Sequence, residues 1–70
     1  MNLTVLIEGD EHSEMLVGSV PAIRSAYTQG ASTAELLANM REVLEMLREE
    51  GMFDAEGGFT LCAEYAATAA

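Results

Sequence analysis

Ser32 stands three residues before Glu35 and opens a stretch whose apolar residues recur at helical spacing. The Ser32 hydroxyl can accept from the Glu35 N–H while the Glu35 carboxylate accepts from the Ser32 N–H, a capping box that sets where a helix begins. At about 100° per residue, Leu36, Leu37, Met40, Val43, Leu44 and Leu47 fall in one arc roughly 120° wide. Arg41, Glu42, Glu45, Arg48 and Glu49 fall opposite. Gly51 suits the position just past the helix, which gives it a length of roughly 27 Å. A helix with one apolar face needs another surface to bury that face, and the rest of the chain must supply it.

That surface reads as β structure. Asn2 to Glu8 places Leu3, Val5 and Ile7 on one side and Asn2, Thr4 and Glu8 on the other, with Leu6 interrupting the polar side. Gly9 to Ser13 is a polar connector of hairpin length, and Met15 to Val20 resumes as a second segment. Pro21 ends it, because proline cannot donate to a ladder. Ser25 to Gln29, centred on Tyr27, predicts a short third strand, with Gly30 giving the backbone freedom to turn out of it. Beyond a loop from Gly51 to Gly58, Phe59, Leu61, Ala63 and Tyr65 alternate with Thr60, Cys62 and Glu64 as a last strand. Ala66 to Ala70 reads as a fraying tail.

The order β-β-β-α-β predicts an α+β fold, a four-stranded sheet with one helix on one face and a single domain over residues 1–70. An antiparallel meander is followed by a right-handed helical crossover and a strand parallel to the first. The residues alone allow that strand to lie beside the first or the third. The face without a helix takes some of Leu6, Leu16, Val20 and Cys62, depending on register, so apolar surface is left uncovered. A chain of 70 residues buries only about 60 % of its unfolded surface. A homodimer or higher oligomer, or a bound partner, is therefore expected.

The net charge of −9 comes from twelve Asp and Glu against three Arg, with no Lys. Phosphate neutralisation needs clustered cations, so this domain alone is not expected to bind nucleic acid or an anionic membrane. A basic protein partner is favoured instead. No apolar run approaches ~18 residues and no basic segment precedes an apolar one, so neither a transmembrane helix nor a signal peptide is expected. Cys62 is the single cysteine, which predicts a reduced thiol in a cytoplasmic protein.

Candidate chemistry is sparse. Glu8, Asp10, Glu11, His12 and Glu14 are the densest set of possible ligands, but their spacing matches no EF-hand loop and reads as a solvated hairpin tip. His12 lacks a second His or a Cys at metal-ligand spacing, so neither a metal nor a cofactor is expected. Cys62 has no activating His nearby and its surroundings are acidic, which suits packing rather than nucleophilic attack. Met40 belongs to the apolar arc, whereas Met46 flanks it and is open to a binding role. Arg41–Glu45 and Glu45–Arg48 stand at ion-pair spacing on a helix face that reads as solvated, with partner docking as its functional reading.

The run from Val20 to Glu35 carries a resemblance. Val20-Pro21, the segment around Tyr27, Gln29-Gly30, and Ser32 three residues before Glu35 resemble the signature of the HicB-like antitoxin family, whose corresponding stretch reads V-P-E-L-P-G-x-x-T-Q-G-D-T-x-E-E-A. The likeness extends from Leu3 to Glu50. It departs from that signature at Ala31, which stands at the Asp after Gln-Gly, and at Ala34-Glu35-Leu36, which stands at Glu-Glu-Ala. The resemblance implies a partially degraded ribonuclease H-like sheet with the last strand beside the first. It also implies that the chain binds and masks a small basic mRNA-cleaving toxin of the HicA type and performs no catalysis. Ribonuclease H-like enzymes gather carboxylates at the sheet centre, but the first strand here has Leu3, Thr4, Val5, Leu6 and Ile7 at its middle and only Glu8 at its end, with Glu64 the one other acid within reach. For such a toxin the acidic hairpin residues Asp10, Glu11 and Glu14 are the candidate docking site, since they concentrate negative charge without Arg neighbours. The alternative is a stand-alone oligomeric interaction module of the same fold whose partner is not a toxin.

Overall fold

The alternation of Leu3, Val5 and Ile7 becomes β1 (Asn2–Gly9) in the computed structural model, which describes residues 1–10, 12–54 and 56–66. β2 (Leu16–Ser19) returns antiparallel to β1, and β3 (Tyr27–Gly30) runs antiparallel to β2. The helix α1 (Thr33–Glu49) crosses over, and β4 (Thr60–Tyr65) pairs parallel to β1. The strand order is β3-β2-β1-β4, so the last strand lies beside the first. The fold is α+β, a mixed four-stranded sheet with one helix.

Both ends of the helix are made by local chemistry. Ser32 is the N-cap, its backbone extended, and its Oγ accepts from the Glu35 N–H at 3.1 Å. The return bond from the Glu35 carboxylate is absent among the described residues, so half of the capping box forms. At the far end, Gly51 has φ +79°, the Gly51 N–H donates to the Arg48 carbonyl at 3.0 Å and the Met52 N–H to the Leu47 carbonyl at 2.9 Å. Those two bonds make a Schellman motif with glycine in the left-handed position.

Residues directly opposite in a ladder share a face, so the register sorts the whole sheet. Leu3 and Leu61, Val5 and Ala63, and Ile7, Gly18 and Tyr65 point to the helix side, and so do Leu16 and Gly30. Leu3, Val5, Ile7, Val20, Ile23 and Ala26 bury there against Leu36, Met40, Leu44 and Leu47. Val20 therefore belongs to the core, 2 % exposed, and Leu16 packs against it. Of the four residues expected on the other face, Leu6 and Cys62 are there. Cys62 is exposed, so the packing role expected for it is not met.

The third strand begins two residues later than expected. Ser25 has φ +74°, and the chain from Val20 to Ala26 is closed by the Val20 N–H donating to the Ala26 carbonyl at 3.1 Å and the Ile23 N–H to the Val20 carbonyl at 3.0 Å. This loop turns Ile23 into the core, and Ala26 is buried at its end on the side that Thr28 and Gly30 share. At the C-terminal end the Ala66 N–H donates to the Ile7 carbonyl at 2.9 Å, so the β4 ladder runs one residue into the segment expected to fray. Residues 67–70 of that segment lie outside the described residues.

Candidate partner-binding surface

The acidic hairpin is a shaped turn. The Asp10 carboxylate accepts from the His12 N–H at 2.9 Å through Oδ1 and from the Ser13 hydroxyl at 3.1 Å through Oδ2, and the Ser13 Oγ in turn accepts from the Met15 N–H at 3.2 Å. The Asp10 N–H closes the loop onto the Met15 carbonyl at 3.1 Å. Asp10 is half-buried and its side chain is committed to holding the turn, whereas Glu14 is exposed. Glu11, the third residue of the candidate docking site, lies outside the described residues. The hairpin thus presents Glu14 outwards and uses Asp10 for its own geometry.

Beside the turn lies the face of the sheet that the helix does not cover. Glu8 pairs with Val17, Val17 with Gln29, and Ser19 with Tyr27, which places Glu8, Val17 and Tyr27 on that face with Leu6. Leu6 and Val17 are half-buried, and Tyr27 is 61 % exposed. These residues line a shallow depression that continues past Glu8 to Asp10 and His12 at the hairpin. Glu64 joins the same face opposite Leu6. The charged side chains that the strands place on this face are therefore Glu8 and Glu64, while Leu6, Val17 and Tyr27 give it an apolar middle. Among the described residues, no three of the His, Cys, Asp and Glu side chains converge as they would to hold a metal ion.

The helix arginines have a use that their spacing does not announce. The Arg41 guanidinium lies 5.2 Å from the centroid of Phe59 and that of Arg48 lies 5.7 Å from it, while Phe53 meets Phe59 edge-on at 6.0 Å. Arg41 and Arg48 are seven apart, two helical turns, so one ring in the loop before β4 takes both. The acids of the helix, Glu35, Glu42, Glu45 and Glu49, are exposed. Met46 is 53 % exposed, which leaves it available, and Met40 is fully buried. Among the described residues no helix is long and apolar enough to cross a membrane.

No family model matches this chain, and no solved structure matches it. Over 46 residues it is 46 % identical to a UPF0150 protein of Synechocystis sp., an alignment that covers 66 % of this chain and 65 % of that protein. Over 47 residues it is 40 % identical to a UPF0150 protein of Thermotoga maritima, covering 67 % of this chain and 63 % of that one. The match spans just under two thirds of the length of each. The homologues of this chain are UPF0150 proteins.

Proposed function

We propose that this chain is a HicB-like antitoxin-type protein that binds and masks a small basic mRNA-cleaving toxin of the HicA type in the cytoplasm, without catalysis of its own and as a homodimer or higher oligomer. The observation that carries this reading is the placement of charge. The chain has a net charge of −9, two of its three arginines are drawn to Phe59, and the acidic turn adjoins an open sheet face with an apolar middle. A basic protein offering an apolar anchor between its cations complements such a surface in both respects. A nucleic acid or an anionic membrane does not. The sequence resemblance to the HicB-like signature supplies the class of partner.

The uncovered patch of Leu6, Val17 and Tyr27 favours a second reading, an oligomeric interaction module of the same fold with a partner that is not a toxin. One experiment separates them. A short basic reading frame next to the gene is expressed, and its RNA cleavage is followed while this chain is titrated in. Cleavage that stops near stoichiometric addition, with a complex recovered by size-exclusion chromatography, supports the antitoxin. Cleavage that continues undiminished at a large excess, with no complex, refutes it in favour of the module.

A further inference from the structure

Among the described residues, nothing pairs with the outer edge of β4. The Thr60 N–H donates to the Met1 carbonyl at 2.8 Å and the Ala66 N–H to the Ile7 carbonyl at 2.9 Å. Bonding residues alternate along a parallel ladder, so residues 60, 62, 64 and 66 face β1. The backbone N–H and C=O groups of Leu61, Ala63 and Tyr65 then point away from the sheet, and among the described residues no strand lies beyond β4. Sheet edges are commonly blunted by Lys, Pro, bulges or extreme shortness. β4 is six residues long, has no Pro or Lys, and carries one charge, Glu64. The opposite edge differs. β3 has four residues, only Tyr27 and Gln29 direct their backbone groups outwards, and the Gln29 carbonyl already accepts from Asn39 Nδ2 at 2.9 Å.

We propose that two copies of this chain pair antiparallel through β4, about a two-fold axis that passes between their Cys62 residues, to form one continuous sheet. This rests on the self-association put forward above and is independent of the toxin. The alternation leaves Leu61 and Ala63 of one copy to exchange hydrogen bonds with Ala63 and Leu61 of the other, and it puts Cys62 opposite its own counterpart on the open face as a non-hydrogen-bonded pair. Like charge leaves β4 as the edge where a second copy meets little repulsion, since Glu64 is the one charge it carries. The chain carries −9, and meeting through the hairpin or the outer helix face would bring carboxylates together. In this register each Glu64 instead faces Thr60 of the other copy. On the helix side, Ala63 and Tyr65 are exposed and Leu61 is only half-buried in one chain, so the pairing also covers apolar surface that α1 does not reach.

Sedimentation equilibrium at micromolar concentration tests the proposal on the unmodified chain, Ala63→Pro and Ala63→Lys. Proline removes an outward N–H and leaves the β1 ladder intact, and lysine adds an edge charge at an exposed side chain. The unmodified chain is expected at twice 7.5 kDa and to be joined by a short bis-maleimide through Cys62, while both variants keep their helical circular dichroism and sediment as monomers. If Ala63→Pro unfolds, Ala63→Lys decides. Folded variants that remain dimeric overturn pairing at this edge and leave self-association to another surface. An unmodified chain that is monomeric refutes self-association itself. A monomer that binds a basic toxin, and loses it in Ala63→Lys, assigns the edge to that partner and overturns the pairing of copies.

Discussion

A side chain at Gly30 would collide with backbone. A Cβ built there comes within 2.6 Å of the Leu36 nitrogen and 2.8 Å of its Cα, at the first turn of the helix. The dihedral freedom expected of this glycine is not what it supplies, since its φ is not positive. Its contribution is the absence of a Cβ, which lets β3 and α1 lie against each other. Gly30→Ala is therefore expected to cost about 3 kcal/mol, as urea denaturation would measure, because backbone on both sides must shift. Ser25 presents the converse case. Its φ of +74° is one that an L side chain adopts at a cost of about 1–2 kcal/mol, and the HicB-like signature it resembles has glycine at this position. Ser25→Gly relieves that cost and loses part of the gain to the greater freedom of the unfolded chain, so a rise in stability of up to about 1 kcal/mol is expected in the same measurement.

The helix and the first strand were the elements most legible from the residues, because each carries a full period of apolar positions, and Leu36, Met40, Leu44 and Leu47 are all buried. What periodicity missed lies where one element meets another. The Phe59 ring between Arg41 and Arg48 depends on a loop returning to the helix, and no local pattern encodes that return. The same holds for the hydrogen bond between the Thr33 and Tyr65 hydroxyls, which ties the start of α1 to the end of β4 across 32 positions of chain. On β4 the alternation matches the strand, but its face is only partly covered because the helix lies over β2 and β3, as the Gly18 and Gly30 contacts with Leu36 require. In the acidic hairpin, composition named the charges and could not reveal that Asp10 spends its carboxylate on the turn. Phe59→Leu tests the link between loop and helix: it keeps apolar bulk while removing the ring face, and a loss of about 1 kcal/mol in chemical denaturation is expected. A loss indistinguishable from zero would mean that the two arginines gain nothing from the ring.

At the scale of the whole molecule, twelve acids against three arginines on a chain of 70 residues produce a field that extends well beyond any one contact. Such a field acts mainly on the rate of encounter, and its reach follows ionic strength, with a screening length of about 30 Å at 0.01 M salt and about 10 Å at 0.1 M. The hairpin is the place to test it, because its charges sit on a turn at one end of the open face. Replacing Asp10, Glu11 and Glu14 by Asn, Gln and Gln removes three charges while Asn keeps an acceptor for the His12 N–H, so the turn is expected to survive. Surface binding kinetics with a HicA-like partner should then show an association rate several-fold lower at low salt, a smaller difference at high salt, and a dissociation rate nearly unchanged. Single Glu14→Gln should give part of the effect, since that carboxylate is exposed. A dissociation rate that rises while association is untouched would mean that these side chains sit inside the contact instead of guiding the approach to it. Equal rates for the two proteins at every salt concentration would remove the hairpin from recognition altogether and leave the open face with Leu6, Val17 and Tyr27 as the docking surface to examine.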